Sequence, residues 1–237
     1  MKAWGITDIG CVREVNQDAY RLLLSEESGV FLVCDGMGGA KAGEVASALA
    51  AEAFMKAVYP LSEHFSESAI REIFSSVNQL VFEEANANPE HEGMGTTMVC
   101  ALCCKGQTLI ANVGDSRAYL LDQNGMRQVT EDHSLVTELV KRGELTEYQA
   151  NRHPSRNVIT RAVGAEPAVQ CDVFSEKPEP GQYLLLCSDG LFREVTDPEI
   201  YYEVYQSGQP ETACERLLTM AKNRGGRDNI TILLIAY

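Results

Sequence analysis

Two apolar runs in this chain end in the same dipeptide: Phe31-Leu32-Val33-Cys34-Asp35-Gly36 and Leu184-Leu185-Leu186-Cys187-Ser188-Asp189-Gly190. Each reads as a buried strand that carries a carboxylate to the end of a sheet, where glycine turns the chain. Two further acids repeat the arrangement. Asp115 follows the apolar run 109–113, and Asp228 stands between Gly225-Gly226-Arg227 and the apolar run 229–235. Carboxylates at strand ends are a common way to build an oxygen-ligand site for Mg²⁺ or Mn²⁺. Asp-Gly is also a frequent turn dipeptide, so neither copy alone says more than that.

The length of 237 residues allows one large core or two small ones. No stretch of 18 apolar residues occurs, so no membrane span is expected, and the start lacks an apolar signal core, so the chain reads as cytoplasmic. With 34 acids against 20 bases the net charge is −14, a field that repels nucleic acid and anionic lipid. The eight cysteines include a C-x-x-C at Cys100 and Cys103, but it lies within an apolar strand pattern with no second pair. They read as reduced, mostly buried thiols, not as a zinc site or a disulfide framework.

Periodicity predicts strands at 2–8, 18–24, up to Asp35, 96–104, 107–113, 116–121, 168–174, 183–188 and 229–236. Helices are expected at 41–59, stopped by Pro60, and at 67–86, with Ile70, Ile73, Phe74, Val77, Leu80 and Val81 on one stripe. Two short helices fill 134–152, and two more fall at 197–206 and 211–223. Strands in runs joined by tight turns, with helices in pairs, fit antiparallel sheets covered by helix pairs: an α+β layered fold in one domain.

The glycine-rich stretch 35–43 resembles a phosphate loop, but Lys41 is followed by Ala42, where the Walker pattern needs Ser or Thr. Its small residues instead let backbone pass close to an ion, so that the Gly36 carbonyl can serve as a ligand.

Nine motifs in order carry a resemblance. They are Arg13; Asn16-Gln17-Asp18; Asp35-Gly36-Met37-Gly38-Gly39; Gly95-Thr96-Thr97; Gly114-Asp115-Ser116-Arg117; Asp132-His133-Ser134; Ile159-Thr160-Arg161-Ala162-Val163-Gly164; Cys187-Ser188-Asp189-Gly190-Leu191; and Gly226-Arg227-Asp228-Asn229-Ile230-Thr231. Together they resemble the metal-dependent protein phosphatase family, type 2C (PPM), in its compact bacterial form. The resemblance implies a four-layer α-β-β-α sandwich of two antiparallel sheets flanked by helix pairs. It implies one phosphatase domain over 1–237, with a flap at about 134–167. It gives Asp35 the role of bridging two Mn²⁺ or Mg²⁺ ions. Asp189 and Asp228 hold the first ion, the Gly36 carbonyl the second, and Asp115 with Asp189 a third and weaker one. Asp18 acts in the outer shell, and Arg13 clamps the substrate phosphate.

The implied activity is hydrolysis of phosphoserine and phosphothreonine in proteins by a monomer, opposing a Hanks-type Ser/Thr kinase. The chemistry is consistent with this. Divalent ions neutralise a doubly charged ester and activate water, and the planar fork of arginine suits phosphate. A catalytically silent phosphoprotein-binding regulator on the same fold remains the alternative. An Asp-nucleophile phosphatase needs a second acid two residues after the first, where Met37 stands. Family members commonly carry a histidine near the Asp-Gly-Met-Gly-Gly segment. Here Met37 and Ala40 hold those positions, which leaves water at the ions as proton source for the leaving group. His133 is expected to be structural, capping the turn into the helix at Ser134, and His153 to lie in a surface loop.

Overall fold

The computed structural model describes residues 1–25, 28–39, 42–59 and 65–237. Ala40, Lys41 and Pro60 lie outside these, and with them the expectations placed on those positions.

Alternation along the strands dictates the layers, because successive side chains point to opposite faces. In β3 (Ser28–Met37), Val30, Leu32 and Cys34 face one core while Phe31 and Val33 face another. β5 (Met98–Cys104) and β6 (Gln107–Val113) divide the same way, and β2 (Asp18–Leu24) and β9 (Asp172–Glu176) complete a sheet in the order β2-β3-β5-β6-β9. The two-residue β4 (Gly95–Thr96) pairs with the end of β3. The second sheet runs β1-β11-β10-β7-β8, from β1 (Lys2–Asp8), β11 (Ile230–Ala236), β10 (Tyr183–Cys187), β7 (Arg117–Asp122) and β8 (Gly125–Gln128). In β11, Ile230, Ile232 and Leu234 face outward to helices, while Leu233 and Ile235 meet Phe31 and Val33 of the first sheet.

Helices α1 (Ala42–Val58) and α2 (Glu67–Ala87) cover the first sheet through Phe54, Ile70, Phe74 and Val81. Helix α2 starts at Ser66, whose Oγ accepts the Ala69 N–H at 3.2 Å. Leu80 sits at the rim of its apolar face and is 41% exposed, so it does not belong to the buried stripe. The second sheet is covered by α6 (Asp197–Ser207) and α7 (Pro210–Asn223), which bury Ile200, Val204 and Leu217. Helices α3 (Leu135–Lys141) and α4 (Glu147–Ala150) occupy the segment between β8 and β9. The result is the expected α-β-β-α sandwich, and among the described residues no helix is long and apolar enough to cross a membrane.

Three local expectations change. Thr97 interrupts the expected strand 96–104, because its N–H and Oγ1 are committed to the Asp35 carbonyl and amide at 2.9 and 3.0 Å. The strand expected at 168–174 begins only at Asp172, because α2 side chains take the preceding carbonyls: Asn78 Nδ2 donates to Glu166 O, and Arg71 Nη1 to Cys171 O. The third concerns the two Asp-Gly pairs. Neither glycine turns the chain, and neither has positive φ. Gly36 stays within β3, and Gly190 lies in a short helix, α5 (Asp189–Phe192), where the sequence predicts a turn.

Both glycines allow close backbone approach. A Cβ on Gly36 would lie 2.0 Å from Gly43 O and 2.5 Å from Gln17 O, and one on Gly190 would lie 2.0 Å from Asn229 O. Gly36→Ala and Gly190→Ala should therefore each destabilise the fold by about 1–3 kcal/mol or more. At roughly 2–4 °C per kcal/mol for a chain of this size, thermal unfolding should register the loss. Midpoints equal to the parent would show that these contacts relax freely.

Candidate metal centre

The five acids singled out above reach one end of the sandwich from both sheets. Asp18 opens β2 directly opposite Asp35 of β3 in the ladder register. Asp189 opens α5 just beyond β10, and Asp228 precedes β11. Asp115 lies where the chain crosses from β6 in one sheet to β7 in the other. A cavity of 260 Å³ brings together Arg13, Asp35, Gly36, Asp115, Asp189 and Asp228, with Met37 on its wall. Asp18 is buried, only 9% exposed.

Each acid is held by identifiable donors. Asp18 Oδ2 accepts hydroxyl protons from Ser188 at 2.7 Å and Thr231 at 2.6 Å. Asp228 Oδ1 accepts the Asn229 N–H at 2.9 Å, and its Oδ2 pairs with Arg13 Nη2 at 2.8 Å. Arg193 reaches two acids, with Nε 2.8 Å from Asp189 Oδ2 and Nη2 3.3 Å from Asp115 Oδ2. Asn229 pins the loop that bears Arg13: its Nδ2 donates to Ile9 O and Val15 O, both at 3.0 Å, and its Oδ1 accepts the Gln17 N–H at 2.8 Å.

His133 is structural, but not as a cap. Ser134 Oγ itself caps α3 by accepting the Thr137 N–H. His133 Nδ1 accepts the Gly114 N–H at 3.1 Å, which leaves the ring proton on Nε2 to donate to Asp172 Oδ2 at 3.1 Å. The histidine thereby fixes the residue before Asp115, and burial lowers its pKa against the hydrogen bond to Asp172. His153 is a partly buried turn residue whose Nδ1 accepts the Ser155 N–H. Six of the eight cysteines are buried.

Among the described residues no three acid, imidazole or thiol groups already form a ready ligand shell. The donor set nevertheless fits hard divalent ions. Asp18 Oδ1 and Asp189 Oδ1 are buried with no hydrogen-bond partner, and a buried carboxylate oxygen without one calls for a cation or a proton. Gly36 lines the cavity, and a Cβ on Gly43 would come within 2.8 Å of its carbonyl oxygen.

The electrostatics agree. Burial, followed by repulsion from Asp18, Asp189, Asp115 and Asp228, holds the Asp35 carboxyl well above the usual range. Burial pushes Asp18 up to about 6 against the hydrogen bonds from Thr231 and Ser188. It pushes Asp189 up to about 7 against the opposing charge of Arg193. Arg13 is held charged, chiefly by Asp228.

Sequence reasoning missed Ser188, Thr231, Thr97, Asn229 and Arg193 as individual functional residues. The first three share a signal: a small hydroxyl residue buried in or beside an apolar strand.

Similar architecture occurs in the crystal structure of the serine/threonine phosphatase Stp1 from Staphylococcus aureus, with a TM-score of 0.92 and 36% identity over all of this chain and 94% of that one. Fold and site together define a PPM-type phosphatase. A family model described as protein phosphatase 2C matches residues 12–223, and the chain belongs to that family. It is 38% identical to the serine/threonine phosphatase stp of Listeria welshimeri over 97% of this chain and 93% of that one. To the protein phosphatase PhpP of Streptococcus pneumoniae it is 33% identical, over 98% and 95%. The family is metal-dependent, generally on Mn²⁺ or Mg²⁺.

Raised carboxyl pKa values have a consequence for stability. Between the unfolded value near 3.8 and the folded values of about 6 and 7, the folded chain holds more protons than the unfolded one. Stability without metal should therefore fall as pH rises from about 4 to 7, at about 1.4 kcal/mol per pH unit for each extra proton. Thermal unfolding in chelator across pH 5 to 8 checks this. A midpoint that climbs with pH over that window would mean the acids are not electrostatically strained.

Proposed function

We propose that the chain hydrolyses phosphoserine and phosphothreonine in proteins, with two divalent ions at Asp35, Gly36, Asp189 and Asp228. The observation that carries this reading is the pair of unpartnered buried oxygens, Asp18 Oδ1 and Asp189 Oδ1, beside a carboxylate-lined cavity. When bound, Mn²⁺ or Mg²⁺ supplies the charge neutralisation and water activation that a phosphate monoester requires.

The remaining work belongs to side chains. Arg13 is 51% exposed at the cavity edge, so its fork can turn from Asp228 to a phosphate without crossing packed structure. Asp18 is held by Ser188 and Thr231 on one oxygen, which leaves Oδ1 as a place to hold or take a proton. No histidine lines the cavity, so among its described lining residues none supplies an imidazole acid for the leaving group.

The segment at about 134–167 is proposed as a flap within one phosphatase domain. The bridges Ser134–Ile159 and Thr96–Val163, and the presence of Asn157 and Ile159 on the cavity wall, support this. The substrates are phosphoproteins, and the reading extends to a cytoplasmic monomer that opposes a Ser/Thr kinase.

Phosphopeptide hydrolysis with added Mn²⁺, against a chelator control, tests the function. Turnover should require the metal, whereas binding of phosphopeptide without turnover would favour the silent-regulator alternative. Asp35→Asn and Asp189→Asn should each remove nearly all turnover with the fold retained by circular dichroism. Arg13→Ala should lower kcat/KM by roughly 1.5–3 kcal/mol, the worth of a charged hydrogen bond, with Mn²⁺ affinity little changed. Parent-like kinetics in the Arg13 variant would return that residue to the surface.

A further inference from the structure

Asp115 and Asp189 are the pair to which the family resemblance gives a third, weaker ion. In this chain a side chain already stands between them. Arg193 follows Asp189 by four residues, one helical turn along α5, so the local fold itself delivers the guanidinium to the acids. Nε lies 2.8 Å from Asp189 Oδ2 and Nη2 lies 3.3 Å from Asp115 Oδ2. Nη1 donates to Asn157 Oδ1 across the cavity. The arginine side chain is only 22% exposed, and those of Asp115 and Asp189 are 7% and 12% exposed. This is an enclosed, three-way contact and not a loose surface pair.

The two oxygens of Asp189 are divided. Oδ2 is committed to Arg193, while Oδ1 is buried and without a partner. We propose that Arg193 is a tethered cation that replaces the third ion, so that this centre takes two divalent ions and not three. The inference rests on the metal-centre reading above and narrows it. A covalently held charge competes at high effective concentration with an ion arriving from solution. A divalent ion placed beside the guanidinium would also meet like-charge repulsion in a poorly solvated site. The attachment to Asn157 further ties one wall of the cavity to Asp115 and Asp189 through a group that chelators cannot remove.

The test is Mn²⁺ stoichiometry, from titration of the intact chain followed by the electron paramagnetic resonance signal of free Mn²⁺. The parent should bind two ions, and Asp115→Asn should leave that number unchanged. Arg193→Asn should bind a third ion at least tenfold more weakly than the first two, and adding Asp115→Asn to it should remove that ion. Arg193→Lys, which keeps the charge, should stay at two. A parent that binds three ions, one of them lost in Asp115→Asn, would overturn the inference while leaving the metal centre standing. So would a folded Arg193→Asn variant that still binds only two. A parent that binds no Mn²⁺ would bring down the metal centre and this inference together.

Discussion

Crowded carboxylates govern this structure. Asp18, Asp35, Asp115, Asp189 and Asp228 converge on one end of the sandwich, and Asp35 feels the charge of the other four. Two like charges about 5 Å apart repel by roughly 3 kcal/mol at an effective dielectric near 20. A whole domain is stable by only about 5–15 kcal/mol, so several such pairs cannot be left unbalanced. The surroundings offset part of the repulsion: Arg13 on Asp228, Arg193 on Asp189 and Asp115, and the hydroxyls of Ser188 and Thr231 on Asp18. Oδ1 of Asp18 and Oδ1 of Asp189 are left over, and positive charge from outside the chain is the simplest remedy for them.

The sandwich makes this crowding possible by anchoring the acids on rigid elements of both sheets. Asp18 and Asp35 are fixed by the β2–β3 register, while Asp189 and Asp228 flank the paired strands β10 and β11. The core between the sheets, with Phe31, Val33, Leu186 and Leu233, keeps the two sets in place. Hinged loops would let the acids drift apart. Gly36 and Gly190 serve the same end by letting backbone approach backbone beside the acids they follow.

Much of this was legible in the sequence, because strand alternation and the order of the acid motifs both survive in the fold. Asp35, Asp115, Asp189 and Asp228 stand out at the ends of apolar runs, whereas Asp18 and Arg13 are singled out only by the family resemblance. The reason for the glycines did not, since Asp-Gly normally signals a turn and only the packed structure shows the neighbouring carbonyls. Arg193 is hidden in the sequence because its partnership depends on a one-turn helix, α5, in a stretch that reads as a turn after a strand. The late start of β9 was equally out of reach, since the carbonyls before it are claimed by Asn78 and Arg71 from a distant helix. Local pattern reports what a segment prefers, whereas these three outcomes depend on what lies across from it.

The central claim is that the carboxylates form a cation site whose occupation relieves stored repulsion. The direct measurement is the thermal unfolding midpoint against Mn²⁺ from micromolar to millimolar at neutral pH. An ion at about 100 times its Kd should add roughly 2.7 kcal/mol per site, so the midpoint should rise steadily, and Asp228→Asn should blunt the rise. A midpoint that ignores Mn²⁺ across the whole range would contradict the account.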